Sequence, residues 1–158
     1  MTRLPDLGRR GGGYVALQFL LVVAVAVVAS LVPRWPAGVA PALRVAGLAL
    51  VAGGLALFAL AVRDLGPSLT AFPSPGEESE LRTGGVYGAA RHPIYGALLL
   101  LATGWSLVRG PLALVPTALL AALLLAKSVR EEAFLVERYP DYAEYRGRVA
   151  RRFVPGLF

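Results

Sequence analysis

The sequence predicts an all-α fold, a polytopic integral-membrane helical bundle with about four transmembrane helices and a short cytoplasmic C-terminal helical segment. Hydrophobic residues make up 56% of the 158 residues and charged residues only 16%, which departs strongly from an average soluble protein. The apolar residues are also concentrated in long runs. Each run approaches the length that crosses the hydrocarbon core of a bilayer.

The first two spans are predicted at 14–32 and 42–62. The first run has Gln18 near its start and approaches the roughly 20 residues needed to cross about 30 Å of hydrocarbon. A cleaved signal peptide is the alternative, because two arginines precede the run, but the run is longer than usual for a signal and no small-residue cleavage site follows it. The second run is broken only by Arg44 near one end, and its Gly53-Gly54 pair suits close helix contact in lipid.

A tight helical hairpin is predicted for the third and fourth spans, at 94–108 and 112–126. An Arg-Gly-Pro segment at 109–111 separates the two runs, each of about fifteen residues. Both runs are short for a span, so we expect the helices to extend into their polar flanks or the hairpin to sit partly off centre.

Two polar segments flank this hairpin. Residues 63–93 are predicted to form a loop, because their prolines and glycines forbid a continuous helix and favour turns. Residues 127–158 have helical spacing, with a second short basic helix at 142–151. Since no repeat or long biased segment is visible, residues 1–158 are predicted to form a single domain.

The basic residues predict that both termini lie in the cytoplasm, because Lys and Arg near spans are retained on that side. Thirteen of the 16 basic residues fall on one side of the predicted spans and three on the other. The loop around His92 and the segment from Lys127 then share the cytoplasmic face. The net charge of +6 fits contact with anionic headgroups of the lipid bilayer and requires no nucleic acid.

The scarcity of reactive side chains narrows the chemistry. The chain has no cysteine and one histidine. Disulfides, thiol nucleophiles and thiolate metal sites are therefore excluded, and a single histidine argues against a zinc or iron centre. No metal is expected.

The only histidine lies in the densest cluster of functional groups, at 84–96. Pro93 at the first position of a helix leaves His92 near the unsatisfied amides of the helix N-terminus, where anions bind. The alternative is that His92 only caps the helix while Arg91 sits at the lipid interface. Tyr95 shares the helix face with them, although an interfacial belt tyrosine explains it equally well. The glycines alone indicate a turn, because no βαβ unit surrounds them.

An acidic pair, Glu131-Glu132, follows the fourth predicted span, where acids require a partner or a task. An ordinary salt-bridged helix is the alternative, because Lys127 lies four residues before Glu131 and Arg130 is adjacent. Topology supports a functional interpretation, since the pair and His92 flank the same hairpin on the same predicted side. The two segments can therefore meet.

Five separated motifs occur along the chain with predicted spans between them. They are Leu-Arg-Thr-Gly-Gly-Val-Tyr at 81–87, Arg-His-Pro-Ile-Tyr-Gly at 91–96, Glu131-Glu132, Tyr142 with Tyr145, and Arg-Phe-Val-Pro at 152–155. Together they resemble the isoprenylcysteine carboxyl methyltransferase family and its phospholipid methyltransferase relatives. The resemblance covers about residues 64–155 and is specific, because the motifs occur in the right order.

The resemblance implies an S-adenosylmethionine-dependent methyltransferase that acts on a lipid-like or prenylated small acceptor entering from the bilayer. It places the cofactor at the cytosolic side of the C-terminal half and gives catalytic roles to Glu131, His92 and Lys127. Glu131 would pair with the charged end of the cofactor. The residues implied to lie along the cofactor are Ser79, Glu80, Leu81, Arg82, Tyr87, His92, Pro93, Ile94, Tyr95 and Glu131.

The chain departs from the family pattern in two places. Lys127 stands where the family often has an arginine beside the acceptor, and an ammonium cannot orient a carboxylate in two-point fashion as a guanidinium does. The resemblance therefore leaves the acceptor open between a carboxylate and an amine. The segment at 139–142 is also one residue shorter than the usual Phe-Gly-x-x-Tyr spacing.

Two alternatives belong to other classes. Sterol-type reductases that use NADPH share a related Arg-His-Pro motif, but Ile94 and Ala97 stand where they usually have an asparagine and an acid, which favours methyl transfer. A non-enzymatic membrane protein would use His92 and Glu131 only for helix packing and would bind no cofactor.

Overall fold

The computed structural model of the chain describes residues 8, 11–31, 33–74, 76 and 79–156. Within these residues the fold is built from α-helices and short 3-10 turns, with no β-strand. The helices are α1 Gly12–Leu31, α2 Ala40–Leu65, α3 Pro93–Arg109, α4 Leu114–Arg138 and α5 Tyr142–Arg148, and the 3-10 turns are Gly66–Ser68, Gly85–Gly88 and Pro111–Ala113. The all-α prediction is confirmed.

The helices have the apolar length and the outer surface of a membrane bundle. Three stretches are long and apolar enough to cross a bilayer, namely Gly12–Leu31, Ala40–Ser68 and Pro111–Arg138. The shorter apolar helix α3 has 17 residues and spans about 25 Å at 1.5 Å per residue, slightly less than the hydrocarbon core. Large side chains such as Phe19 and Leu31 are exposed on the outer faces. Such a surface is stable in contact with lipid tails, and the predicted membrane bundle is confirmed.

Glycines let α2 and α3 approach closely along their length. A methyl group added to Gly104 would lie 2.6 Å from the carbonyl oxygen of Gly47, and one added to Gly54 would lie 3.1 Å from that of Ala97. Of the two adjacent glycines at 53–54, only Gly54 packs in this way, because Gly53 has nothing within 4 Å. Small residues thus provide the close backbone contact that replaces the hydrophobic effect between helices in lipid.

The boundaries differ from the prediction mainly at the C-terminal half. Helix α4 continues well past residue 126 and carries the acidic pair as part of the same helix. It ends just before Tyr139-Pro140, because a residue that precedes proline is disfavoured in helical conformation. Helix α5 stops at Arg148 rather than Arg151, because the chain that follows turns back to the start of α3. The end of the first predicted span, residue 32, lies outside the described residues.

The tail after α5 pairs with the segment that enters α3. The backbone N–H of Arg91 donates to the carbonyl of Arg151 at 3.1 Å, and that of His92 donates to the carbonyl of Arg152 at 2.7 Å. Next to this pairing, a methyl group on Gly96 would collide with the Phe153 carbonyl. The tail therefore closes one end of the bundle.

Helices α1 to α4 run in alternating directions along the chain, which gives the bundle two distinct ends. The hairpin end contains the turn Pro111–Ala113 with Ser106, Arg109 and Thr117. The cavity end contains the described residues of the 66–92 loop, the C-terminal turns of α4, and α5. Both segments that contain the predicted functional residues therefore meet at one end, although which side of the membrane that end faces stays a prediction. Three arginines counted for that orientation, Arg3, Arg9 and Arg10, lie outside the described residues.

Candidate active site

A cavity of about 440 Å³ lies at the cavity end of the bundle. This volume falls within the roughly 300–1,000 Å³ typical of small-molecule sites. The 66–92 loop, α4 and α5 supply polar and aromatic side chains to its wall, and Phe19, Phe58 and Leu98 supply apolar side chains from α1, α2 and α3. The cavity therefore reaches from the polar loop into the apolar part of the spans.

The structure brings together the residues that the sequence assigned to a site. Pro93 is the exception, because it is buried at the start of α3 and shapes the site only by fixing where that helix begins. The predicted residues that line the cavity are Ser79, Glu80, Leu81, Arg82, Tyr87, His92, Ile94, Tyr95, Lys127 and Glu131. Their roles toward a ligand stay predictions.

Glu131 presents a carboxylate to the cavity. The Tyr95 hydroxyl donates to Glu131 Oε2 at 2.5 Å, and His92 Nδ1 lies 3.7 Å from the same oxygen. The His92 and Tyr95 rings are parallel, with centroids 5.4 Å apart. Because the Glu131 side chain remains 26% exposed, the Tyr95 hydroxyl orients the carboxylate without covering it.

Glu132 is buried and pairs with other parts of the protein. Its Oε1 accepts from Arg91 Nε at 3.0 Å and from His92 Nε2 at 3.2 Å, and Arg152 Nε lies 3.6 Å away. Arg91 Nη1 also donates to the carbonyls of Val149 at 2.6 Å and Ala150 at 2.8 Å. Glu132 therefore ties α4 to the start of α3 and to the tail.

His92 does more than cap its helix. It occupies the N-cap position of α3, but its side chain forms no capping hydrogen bond. A carboxylate only accepts hydrogen bonds, so the contact with Glu132 places a proton on Nε2. Nδ1 is left facing Glu131. The ring thus joins the two acidic residues of α4.

Lys127 does not form the salt bridge with Glu131 that an ordinary helical pair would have. Among the described residues it forms no ion pair with Glu131, so the ordinary salt-bridged helix is not what this segment forms. Its Nζ instead donates to Gln18 Oε1 on α1 at 2.6 Å and lies 5.0 Å from the Tyr95 ring centroid. The side chain is buried, with 1% of Lys127 exposed.

Hydrogen bonds dock the 66–92 loop against the helices. The Val86 backbone N–H donates to Asp64 Oδ2 at 2.9 Å, and Gly85 has φ +57, where a Cβ would collide with the same carboxylate. At the other side of the loop, the Tyr145 hydroxyl donates to the carbonyl of Tyr87 at 2.7 Å. The glycine at 85 therefore has a steric purpose that does not involve a nucleotide.

Ser79 is held by a separate contact. The Tyr139 hydroxyl donates to the Ser79 carbonyl at 2.5 Å. This bond connects the end of α4 to the loop segment that precedes Leu81. The Ser79–Arg82 segment, which lines the cavity, is thus anchored to the end of α4.

Several tyrosines of the cavity wall remain neutral. Burial raises the pKa of Tyr145 to about 12 and raises the pKa of Tyr142. Burial and then the charge of Glu131 raise the pKa of Tyr87. These phenols therefore keep their protons and can donate hydrogen bonds at neutral pH.

Two buried polar atoms of the cavity wall have no hydrogen-bond partner within the part of the chain that the structure describes. They are the Tyr142 hydroxyl and Arg82 Nε, and both residues line the cavity. Buried polar groups in proteins are normally satisfied, so such exceptions need an explanation. A bound polar molecule provides one.

The sequence interpretation named no site role for several residues that shape the cavity end, among them Gln18, Asp64, Tyr139 and Tyr145. Gln18 had a signal, as a lone amide within an apolar run. Tyr145 also had one, because it stands with Tyr142 in one of the family-like motifs. Tyr139 had one only as part of the segment at 139–142. Asp64 had none, because its contact with the Val86 amide depends on how the loop returns to α2.

A comparison with protein families identifies the family of the chain. A family model described as phospholipid methyltransferase matches residues 43–142, which is more than half of the chain. The chain belongs to the phospholipid methyltransferase family. Together with the three long apolar stretches, this membership identifies an integral membrane protein of a methyltransferase family, and the resemblance noted in the sequence is confirmed. No curated protein matches the chain.

Proposed function

We propose that this protein is an S-adenosylmethionine-dependent methyltransferase that acts on a lipid-like acceptor at the membrane. The observation that carries the proposal is the two-sided lining of the cavity. Glu131, His92 and several tyrosines lie toward the loop, whereas apolar side chains of three helices lie toward the spans. A charged cofactor and an apolar acceptor can therefore meet in one cavity.

The residues of the cavity fit this cofactor. S-adenosylmethionine carries a positive sulfonium and an amino group, which suit the open Glu131 carboxylate and the faces of the tyrosine rings. It also carries a carboxylate and an adenosine, which offer acceptors for the unpartnered Arg82 Nε and Tyr142 hydroxyl. The orphaned polar atoms and the exposed acid thus have complementary groups on a single molecule.

S-adenosylmethionine supplies a methyl group whose bond to sulfur breaks with its electron pair left on sulfur, while the acceptor atom donates a pair to the methyl carbon. The protein has little acid–base work to do in such a displacement. Its task is to hold the acceptor in line and to exclude water. The contacts of Tyr95 and His92 with Glu131 serve this by fixing the wall of the cavity.

The surroundings of Glu131 and Glu132 differ, and this bears on which of them can take a proton from the acceptor. An amine acceptor must lose one proton, whereas a carboxylate acceptor loses none. Glu132 is occupied by Arg91, His92 and Arg152. Of this acidic pair, Glu131 is the member that lines the cavity, so it is the proton acceptor that we assign for an amine.

The arrangement of the helices provides a route for the acceptor. Helix α1 packs on α3 and α4, and α2 packs on α3, while the described residues show no extended interface between α1 and α2. Phe19 of α1 and Phe58 of α2 line the cavity at this position, and both are partly exposed. An amphipathic molecule in the bilayer can reach the cavity between them.

Calorimetric titration of the purified full-length protein in detergent tests the cofactor. We expect S-adenosylmethionine to bind with micromolar affinity and NADPH to give no heat. Glu131→Gln is expected to weaken binding by at least about tenfold, since hydrogen bonds to charged groups contribute about 1.5–3 kcal/mol. Binding of NADPH without binding of S-adenosylmethionine would overturn the proposal.

Glu137→Gln is the matched control for this variant. Glu137 lies on the same helix and is exposed outside the cavity, so its substitution should leave cofactor binding unchanged. Transfer of labelled methyl groups from S-adenosylmethionine to a membrane lipid extract then tests the reaction. Glu131→Gln should reduce methyl transfer in that assay and Glu137→Gln should leave it unchanged, as in the binding experiment.

A further inference from the structure

The contact between Gln18 and Lys127 brings together two residue types that occur once each in the chain. Lys127 is its only lysine, and Gln18 carries its only side-chain amide. Lys127 Nζ donates to Gln18 Oε1 at 2.6 Å. Gln18 lies on α1, outside the family-matched segment 43–142, so the family match does not account for this contact.

The ammonium of Lys127 has no ion-pair partner in the described residues. No described carboxylate lies within ion-pair distance of Nζ, and the nearest acid along α4, Glu131, accepts a hydrogen bond from Tyr95 instead. The partners of the ammonium are an amide oxygen and the face of the Tyr95 ring. A buried cation in a membrane span is costly without an anionic partner, so this group is suited to receive one.

The position of the pair indicates which ligand would supply the anion. Gln18 and Lys127 both line the cavity, next to Phe19 and Leu98 on its apolar side. Lys127 also lies one turn deeper in the bundle than Glu131. An anionic group at the head of an apolar chain would therefore reach Lys127 while the chain occupies the apolar wall.

We propose that Gln18 and Lys127 form an anion subsite that recognises the acceptor through a carboxylate or phosphate oxygen attached to an apolar chain. Gln18 acts as a positioning residue, because its Oε1 holds the ammonium. Its amide nitrogen keeps two N–H donors that can bind the same anion. The assignment of this ligand as the methyl acceptor rests on the proposed function, whereas the anion subsite itself does not.

Single resonances make the subsite directly observable. Lysine labelled with ¹³C at Cε and glutamine labelled with ¹⁵N at Nε2 each give one side-chain signal in the full-length protein. The probes are dodecyl phosphate, dodecanoate and dodecanol, added to protein in an uncharged maltoside detergent. We expect at least one anionic probe to shift both signals saturably and to bind at least about tenfold more tightly than dodecanol.

The two anionic probes distinguish the sources of the charge. A response to the phosphate alone indicates a phospholipid-like acceptor, and a response to dodecanoate alone indicates a carboxylate acceptor. A response to both shows that the subsite selects negative charge without selecting its geometry. Equal binding of dodecanol and the anionic probes would overturn the inference.

Gln18→Glu tests the role of the neutral amide. It places a carboxylate beside Lys127 Nζ with almost no change in shape, so the anionic probes should bind at least about tenfold more weakly. Ser30→Asp is the control, because Ser30 is exposed on the same helix outside the cavity, and it should bind the probes as the unchanged protein does. Unaltered probe binding in Gln18→Glu would contradict the proposal. If Gln18→Glu does not fold, the probe series on the unchanged protein still decides.

Calorimetry with S-adenosylmethionine on the same preparation separates this inference from the proposed function. Cofactor binding with no response of either label to the anionic probes would refute the anion subsite and leave the methyltransferase proposal standing. Probe binding without cofactor binding would refute the methyltransferase proposal and leave the anion subsite standing.

Discussion

The two ends of the bundle treat their polar side chains differently. At the hairpin end, Ser106 Oγ donates to the carbonyl of Ala102 at 2.8 Å and lies 2.9 Å from Thr117 Oγ1, and Arg109 Nε donates to the carbonyl of Ala29 at 3.1 Å. These groups find their partners within the helices. At the cavity end, Tyr142 and Arg82 keep unpartnered buried atoms among the described residues.

Two adjacent residues of α4, Glu131 and Glu132, show the same difference between satisfied and unsatisfied polar groups. Glu132 is enclosed by three cationic or imidazole side chains, whereas Glu131 is held by one hydrogen bond from Tyr95 and remains partly exposed to the cavity. Polar groups that satisfy one another stabilise the fold. Polar groups that are positioned but not satisfied are available to a ligand, and the cavity end concentrates them.

The largest effect is expected for Glu132→Ala. Removing one partner of a buried ion pair costs about 3–5 kcal/mol, because the remaining charges of Arg91 and Arg152 are left buried or half-buried without compensation. The tail should detach from the start of α3, and cofactor binding should be lost as a consequence. Thermal unfolding in detergent measures the change, with Glu137→Ala as the exposed control. A Glu132→Ala protein as stable as the control would refute the structural role of Glu132.

The next effect concerns the close contact of α2 and α3. Gly104→Ala places a methyl group 2.6 Å from the Gly47 carbonyl oxygen, and such overpacking costs about 1–3 kcal/mol. Gly53→Ala meets nothing within 4 Å and should be neutral or stabilising by up to about 1 kcal/mol through helix propensity. The two melting temperatures should therefore move apart. Equal melting temperatures would show that the helices are not in close contact at Gly104.

The smallest effect is expected at the hairpin end. Ser106→Ala removes a hydroxyl bond between α3 and α4, and such interhelical bonds in membranes contribute about 0.6 kcal/mol on average. Thr117 Oγ1 keeps its bond to the carbonyl of Ala113 at 2.9 Å, so no buried donor is left unpaired. Calorimetry should show unchanged cofactor affinity. A loss of cofactor binding would mean that the two ends are coupled.

Much of the site was predictable because its chemistry is scarce and local. One histidine beside a proline, an acidic pair after a span and a loop rich in glycine identified residues that surround a single cavity. The extension of α4 to Arg138 was less predictable, since hydropathy falls at Lys127 although nothing breaks the helix before Tyr139-Pro140. The end of α5 was predicted too late, because the tail's hydrogen bonds to Arg91 and His92 leave no trace in local spacing.

Membrane placement, helical class and family follow from the chain alone, because apolar run length and motif order are properties of contiguous residues. The separate tasks of Glu131 and Glu132 do not, since adjacent positions on a helix point in different directions. Their neighbours His92 and Tyr95 lie about forty residues away in sequence, and only the fold brings them close. The partnership of Gln18 with Lys127 is more distant still, at 109 residues. Packing of α1 against α4 alone brings that amide to the ammonium, because no rule of sequence spacing links two helices that are not consecutive.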